Sequence, residues 1–127
     1  MSIPKNLRYT HDHEWARLEA DGTVTVGITH FAQELLGGVV YVEVPAAGAV
    51  TAGGSFGTVE STKSVSELYA PISGEILRRN AALDAEPELV NSDPYGAGWM
   101  VQIRPSGDLS ALMDAAAYEA HVAAVDH

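Results

Sequence analysis

The sequence contains no cysteine. Disulfides, thiol catalysis and cysteine-ligated metals are therefore excluded within the chain, and any sulfur chemistry must come from an attached group. No apolar run approaches the length of a membrane-spanning helix, and the first residues resemble neither a signal peptide nor a transit peptide. We therefore expect a cytoplasmic protein, or a processed mature form, with no membrane partner.

Basic residues are scarce, with 7 Lys and Arg against 17 Asp and Glu, for a net charge of -10. A surface of this sign repels phosphate backbones and anionic lipid headgroups. We therefore expect no nucleic acid partner. The same charge favours brief docking to basic patches on other proteins, because complementary potentials raise association rates.

Recognisable catalytic motifs are also missing. No serine lies in a Gly-x-Ser-x-Gly elbow, and the run 53–57 lacks the lysine and helix start of a phosphate loop. The run 11–14, His-Asp-His-Glu, is the densest group of potential metal ligands, and on a strand its two histidines would share one face. A third ligand would have to come from elsewhere, with His30 the nearest candidate. We predict neither catalytic residues nor a metal site, and interpret this run as a solvated polar strand.

Length and pattern predict one mainly β domain over residues 1–127. Short β-prone runs alternate with Gly- and Pro-containing turns, the spacing of a small antiparallel sandwich or barrel. Val24, Val26 and Ile28 alternate with polar or small residues, which predicts a half-buried strand. The predicted strands are Leu7–Tyr9, Trp15–Leu18, Thr23–Ile28, Val39–Val44, Phe56–Ser61, Val65–Tyr69, Gly74–Leu77 and a last strand through Trp99, Val101 and Ile103.

Two segments have helical signals. Thr29 is a plausible N-cap, and Gly37 with Gly38 provides a stop for a short internal helix. From residue 109 onward, apolar residues recur at helical spacing, which predicts a helical tail over about 109–125, interrupted near the cap-like Asp114.

Lys63 is one of two lysines and the only basic residue between Arg17 and Arg78. The flanking β-prone runs predict a hairpin over about 56–69 with Lys63 at its tip, where no buried partner could hold the side chain. Such a lysine is either an ordinary solvated turn residue or, because lysine amines are common acylation targets, an attachment point for a prosthetic group.

Several motifs then follow one another in order along the chain. They are His13-Glu14-Trp15, Gly27-Ile28-Thr29, the run 32–37, Val42-Glu43-Val44-Pro45 with Gly48, the lysine hairpin ending in the run 70–75, and the run 87–95 with Gly98-Trp99. Together they resemble the glycine cleavage H-protein family of lipoyl carriers. The tail around Leu112 and Tyr118 also resembles that family, whereas separate lipoyl domains of 2-oxo acid dehydrogenases lack such a segment. Biotin carriers usually place methionines where this chain has Thr62 and Ser64.

The resemblance implies a flattened barrel-sandwich hybrid of the biotinyl/lipoyl-carrier type, with a short internal helix and a C-terminal helical segment. It implies lipoate bound covalently at Lys63 as N6-lipoyllysine, attached by a ligase or transferase. The expected partners are glycine decarboxylase (the P protein), aminomethyltransferase (the T protein) and dihydrolipoyl dehydrogenase (the L protein). In this family the chain carries an aminomethyl group between enzymes and catalyses none of the steps, and we expect a monomer.

The resemblance also implies a surface cleft that shelters the loaded arm. Matching positions make Asp12, Glu14, Ile28 and Glu67 the candidates for lining it. The family commonly has valine before the lysine and alanine after it, so Thr62 and Ser64 are departures. Two alternatives remain at this point: an unmodified interaction module with an ordinary turn lysine, and a lipoyl donor that serves enzymes other than those of glycine breakdown.

Overall fold

The computed structural model describes residues 3–125. The strands are β1 (Arg8–Tyr9), β2 (Glu14–Leu18), β3 (Val24–Ile28), β4 (Val39–Glu43), β5 (Gly48–Val50), β6 (Ser55–Ser61), β7 (Val65–Tyr69), β8 (Gly74–Arg79) and β9 (Val101–Pro105). The helices are α1 (His30–Leu36), α2 (Ala82–Ala85), α3 (Leu89–Ser92) and α4 (Ala115–Val125). Of these, β5, α2 and α3 were not predicted, because three or four residues are too few to show a period.

Two antiparallel sheets form the body of the protein. One has six strands in the order β1-β2-β3-β9-β8-β5, and the other has three in the order β4-β6-β7. Both sheets contribute to the main core, in which Val26, Val59, Leu68, Ile76 and Ile103 are almost fully buried. The mainly β, flattened sandwich-like fold is therefore confirmed, with the sheets remaining separate rather than closing into a continuous barrel.

Strand β3 differs from the expected half-buried pattern, because all five of its residues are buried. The Thr25 hydroxyl donates to Glu19 and accepts from Gln102, so its polar atom is satisfied inside. Gly27 lies under the indole of Trp15, where a Cβ would come within 2.7 Å of the ring. A polar or small residue on a strand therefore does not mark an exposed face here.

Helix α1 was predicted correctly, and its caps explain its limits. The Thr29 hydroxyl accepts a hydrogen bond from the Ala32 N–H at 3.2 Å. Gly37 ends the helix with φ +82°, a left-handed conformation that glycine adopts without strain, and its N–H donates to the Gln33 carbonyl.

Helix α4 begins at Ala115, so the predicted start at residue 109 was wrong. Asp114 is the cap, since its carboxylate accepts from the Ala117 N–H at 2.9 Å. Leu109 and Leu112 instead lie in a turn and pack against the core. Their three-residue spacing is also typical of a helix, which explains the wrong prediction. Within residues 3–125, no helix is long and apolar enough to cross a bilayer.

Candidate functional site

Lys63 lies in the connection between β6 and β7, whose last register pair is Glu60 with Val65. Its side chain is exposed. None of the ion pairs found among residues 3–125 includes it. The amine is thus presented to solvent, and no carboxylate of residues 3–125 is paired with it.

Ser61 fixes the backbone of this tip. Its buried hydroxyl accepts hydrogen bonds from the N–H groups of Lys63 and Ser64, both at 3.1 Å, and lies 3.2 Å from the Ser64 carbonyl. The Thr62 N–H donates to the Gly38 carbonyl at 3.0 Å. The backbone of the tip is therefore held by hydrogen bonds while the lysine side chain remains exposed. The sequence analysis missed Ser61, although a serine just before a turn is a known signal for such side chain to backbone bonds.

The lysine stem crosses the end of helix α1. A Cβ at Gly37 would lie 2.8 Å from Lys63 Cε. The amide of Asn91, on α3, holds this helix end in place. Its NH2 group donates to the Gly37 carbonyl and to Gln33 Oε1, both at 2.9 Å, and its oxygen accepts from the Val39 N–H at 2.8 Å. An arm on Lys63 would therefore begin at a junction between the lysine stem and the end of α1, which the Asn91 hydrogen bonds hold in place.

A cleft of about 120 Å³ lies beside this junction, and it brings together all four residues predicted to line it: Asp12, Glu14, Ile28 and Glu67. Leu36, which precedes Gly37, also lines it. The remaining lining residues are His13, Ala32, Leu35, Val59, Ser66 and Leu68. Wider grooves of about 420 and 470 Å³ lie along the N-terminal segment and α4, and none of the four candidates lines them.

Glu14 is the buried carboxyl of the cleft, with 2% of its surface exposed. The Thr10 hydroxyl donates to Oε1 at 2.9 Å and the Tyr69 N–H donates to Oε2 at 3.2 Å. Burial raises the pKa of Glu14 to about 8, because desolvation outweighs the lowering effect of these two hydrogen bonds. The carboxyl is therefore mostly protonated near neutral pH, and a cation placed in the cleft would favour its ionised form.

The other candidates divide between rim and wall. Asp12 and Glu67 are exposed, and the Ser55 hydroxyl donates to Glu67. Ile28 is buried, with 3% exposed, and belongs to the apolar wall. The cleft thus combines a hydrocarbon surface with carboxyl groups at one side. Its volume lies below the several hundred Å³ of sites that enclose a drug-sized ligand, so it suits the end of an arm.

The run 11–14 was expected to be a strand, but only its last residue, Glu14, lies on one. Residues 11–13 form a turn, and His13 has φ +67°. Its ring lies near those of His121 and Phe31, with centroids 5.4 and 4.8 Å away. His30 instead lies on α1, where its Nε2 atom is 3.3 Å from Oε1 of Glu34. Across the described residues, no group of three or more His, Cys, Asp or Glu is arranged to hold a metal.

The profile of one family, described as glycine cleavage H-protein, matches residues 7–125. The chain belongs to this family. Curated relatives include the glycine cleavage system H proteins of Marinobacter nauticus, 54% identical over 96% of each chain, and of Anaeromyxobacter sp. (strain K), 59% identical over 96% of this chain and 97% of the relative.

A solved structure supports the same assignment. The crystal structure of a glycine cleavage system H protein from Mycobacterium marinum is 43% identical, with a TM-score of 0.87 over 95% of this chain and 99% of that one. Membership in the glycine cleavage H-protein family supports a lipoyl-carrier role in glycine cleavage. The resemblance found from the motifs is thereby confirmed.

Proposed function

We propose that this chain is the lipoyl-bearing shuttle of a glycine cleavage system, with lipoate joined by an amide bond to Lys63 as N6-lipoyllysine. The observation that carries the proposal is an exposed hairpin-tip lysine whose stem starts beside a cleft with a buried carboxyl. The residues present fit the group: the apolar wall suits a hydrocarbon arm, and the carboxyl groups suit a cation at its end. The chain itself acts as a non-catalytic component.

Lys63 would hold the lipoate, which would supply a disulfide–dithiol couple able to carry an aminomethyl group on sulfur between the P, T and L proteins. The hairpin keeps this arm on an ordered base, held by Ser61 and by the Gly37 junction. Tethering replaces a free intermediate by one at high effective concentration, which supports transfer between successive enzymes.

The cleft residues protect the cargo between encounters. Ile28 and Leu36 would exclude water from the end of the arm, while Glu14, Asp12 and Glu67 would supply carboxyl groups for its cationic amine. A cation near Glu14 lowers the pKa of that carboxyl from its raised value and favours the ion pair. Glu14 would thus ionise and pair with the amine when the arm is loaded, and return to its protonated form when the arm is empty.

Docking to the partners follows from the acidic surface. Glu43, Glu60 and Glu67 are exposed on the sheet that carries Lys63. Complementary basic patches on the P, T and L proteins, and on the lipoate-attaching ligase or transferase, would speed encounter without requiring tight binding. We expect partner association rates to fall as salt rises. We also propose that the chain acts as a monomer in the cytoplasm.

Intact-protein mass spectrometry tests the attachment. The protein, produced in a host that makes lipoate, should gain the mass of one lipoyl group that maps to Lys63. Lys63→Arg should remain unmodified, whereas Lys5→Arg, which changes the only other lysine, should be modified like the wild type. An unmodified wild-type mass under these conditions would contradict the proposal.

A reconstituted exchange of bicarbonate into glycine tests the choice of pathway. With a P protein from a related system, the lipoylated chain should support exchange and the unmodified chain should not. Efficient lipoylation without any exchange would instead favour a lipoyl donor that serves other enzymes.

A further inference from the structure

Helix α4 contacts the turn that carries the cleft residues at two places: His121 Nε2 lies 3.2 Å from the His11 carbonyl oxygen at the exposed side, and the hydroxyl of Tyr118 reaches His13 in the interior. Tyr118 has no exposed surface. Its hydroxyl lies 2.9 Å from His13 Nδ1 and 2.7 Å from Thr29 Oγ1. His13 directly precedes Glu14, and Thr29 caps α1, whose other end lines the cleft. A single group on α4 therefore connects two sides of the cleft.

The turn at residues 10–14 needs such support. Among the non-glycine residues described, His13 alone has positive φ, at +67°. A left-handed conformation is unfavourable for a residue with a Cβ and persists where the surroundings hold it. The His13 carbonyl accepts from the Thr29 N–H at 2.9 Å, and its N–H donates to the Thr10 carbonyl at 3.2 Å. The Thr10 hydroxyl accepts from the Asp12 and Glu14 N–H groups within the turn, and Tyr118 adds a buried side-chain contact from α4.

The protonation states suit this contact. Burial lowers the pKa of His13, and the nearby His121 lowers it further, so its imidazole is neutral near neutral pH. A neutral ring nitrogen can accept a hydrogen bond. Burial raises the pKa of Tyr118 to about 12, so its hydroxyl keeps its proton. The Tyr118 hydroxyl can therefore donate to His13 while it accepts from Thr29.

We propose that Tyr118 is a positioning residue of the cleft: by holding His13 and Thr29 together, it fixes Glu14 against the cationic end of the arm and keeps water away. This inference rests on the proposed function. It gives α4 a part in protecting the cargo, although none of the α4 side chains lines the cleft. The helix acts through its contacts with the turn that does line it.

Tyr9 provides a matched control. Its ring stacks on Tyr118 with centroids 4.5 Å apart, and it is equally buried, but its hydroxyl donates to the Pro4 carbonyl. Tyr118→Phe and Tyr9→Phe therefore remove the same group from the same aromatic stack. Only Tyr118→Phe removes the contact with His13.

The first measurement uses the unlipoylated protein and follows the Glu14 carboxyl by carbon NMR against pH. In Tyr118→Phe the pKa of Glu14 should fall from about 8 by roughly one unit or more, because water reaches the loosened turn. In Tyr9→Phe the pKa of Glu14 should not change. Asp12, His13 and Glu67 are the other titratable groups that line the cleft, and Tyr118 contacts His13 from α4. Neutral Tyr118 contributes no charge whose loss could cause the shift.

The second measurement uses the loaded protein and follows loss of the aminomethyl group. Tyr118→Phe should lose it roughly fivefold faster than the wild type, the factor expected for one net hydrogen bond. Tyr9→Phe should match the wild type. Equal behaviour of the two variants in both measurements would overturn the inference, because a purely structural role would affect both alike.

Two further variants make the outcome unambiguous. Glu14→Gln tests the cleft itself: if it does not speed loss of the aminomethyl group, the protective role in the proposed function fails. If Glu14→Gln speeds loss and Tyr118→Phe does not, only the present inference fails. Should Tyr118→Phe not fold, His13→Asn decides, because asparagine tolerates positive φ but removes the imidazole. It should lower the Glu14 pKa in the same way, and an unchanged pKa would overturn the inference.

Discussion

Lys63 stands exposed on a hairpin of two neighbouring strands, whereas Glu14 is 2% exposed in a cleft whose walls come from β2, β3, α1, β6 and β7. The difference follows from two chemical requirements. An amine that an enzyme must acylate has to be reachable, and a short local segment can present it. A labile cation has to be shielded, and only residues far apart in sequence can enclose it. Changes to the exposed Lys63 side chain should therefore alter attachment alone, while changes to the buried Glu14 should alter both stability and storage.

The sharpest test of this division is Lys63→Arg. Arginine keeps the charge but cannot form the lipoyl amide, so we expect a complete loss of exchange activity with glycine decarboxylase. Because the side chain is exposed and belongs to no ion pair among the described residues, the free energy of unfolding should change by less than about 0.5 kcal/mol. Urea unfolding of both unlipoylated proteins measures this, and a large loss of stability would contradict the division.

Glu14→Gln should have the next largest effect, which is a pH-dependent change in the free energy of unfolding. The folded-state pKa of Glu14 is raised from 4.5 to about 8, so the folded protein holds its proton more tightly than the unfolded chain. Wild-type stability should therefore fall as pH rises through that window, by roughly 3–5 kcal/mol in total. Glutamine does not ionise, so the variant escapes this loss.

The measurement is the difference in unfolding free energy between Glu14→Gln and the wild type. It should be small near pH 4.5 and should grow in favour of the variant up to about pH 8, then level off. Glu67→Gln, at the exposed rim of the same cleft, is the control and should show no comparable rise. A pH-independent difference for Glu14→Gln would show that the buried carboxyl does not titrate in this range.

The two regions also differ in how far sequence alone could predict them. The hairpin is local, so alternation and turn residues placed Lys63 correctly. The membership of the cleft came only through family resemblance, because Asp12, Glu14, Ile28 and Glu67 share no sequence period. Local patterns failed where distant contacts decide: residues 11–13 form a turn in which His13 contacts Tyr118, and β3 is buried on both faces.

Ser61→Ala should have an intermediate effect within the hairpin. Its buried hydroxyl satisfies the N–H groups of Lys63 and Ser64, so its loss should cost about 1–2 kcal/mol and slow lipoate attachment. Ser64→Ala is the control, because the same hydroxyl is removed three residues away at an exposed position. Urea unfolding and the rate of mass gain with a lipoate ligase measure the two effects. Similar values for both variants would show that the tip does not need the Ser61 contact.

The smallest effect is expected for Thr62→Val, which restores the residue common before the lysine in this family. Valine keeps the methyl group of Thr62, which lies 3.9 Å from where a Cβ on Gly38 would stand. The substitution removes only an exposed hydroxyl. The free energy of unfolding should change by less than about 0.5 kcal/mol. Because the Thr62 N–H bond to the Gly38 carbonyl involves the backbone, it survives the substitution, and the rate of lipoate attachment should stay within about threefold of the wild type. A larger change in rate without a change in stability would mean that the attaching enzyme contacts the Thr62 side chain directly, and the hairpin would then contribute recognition as well as presentation.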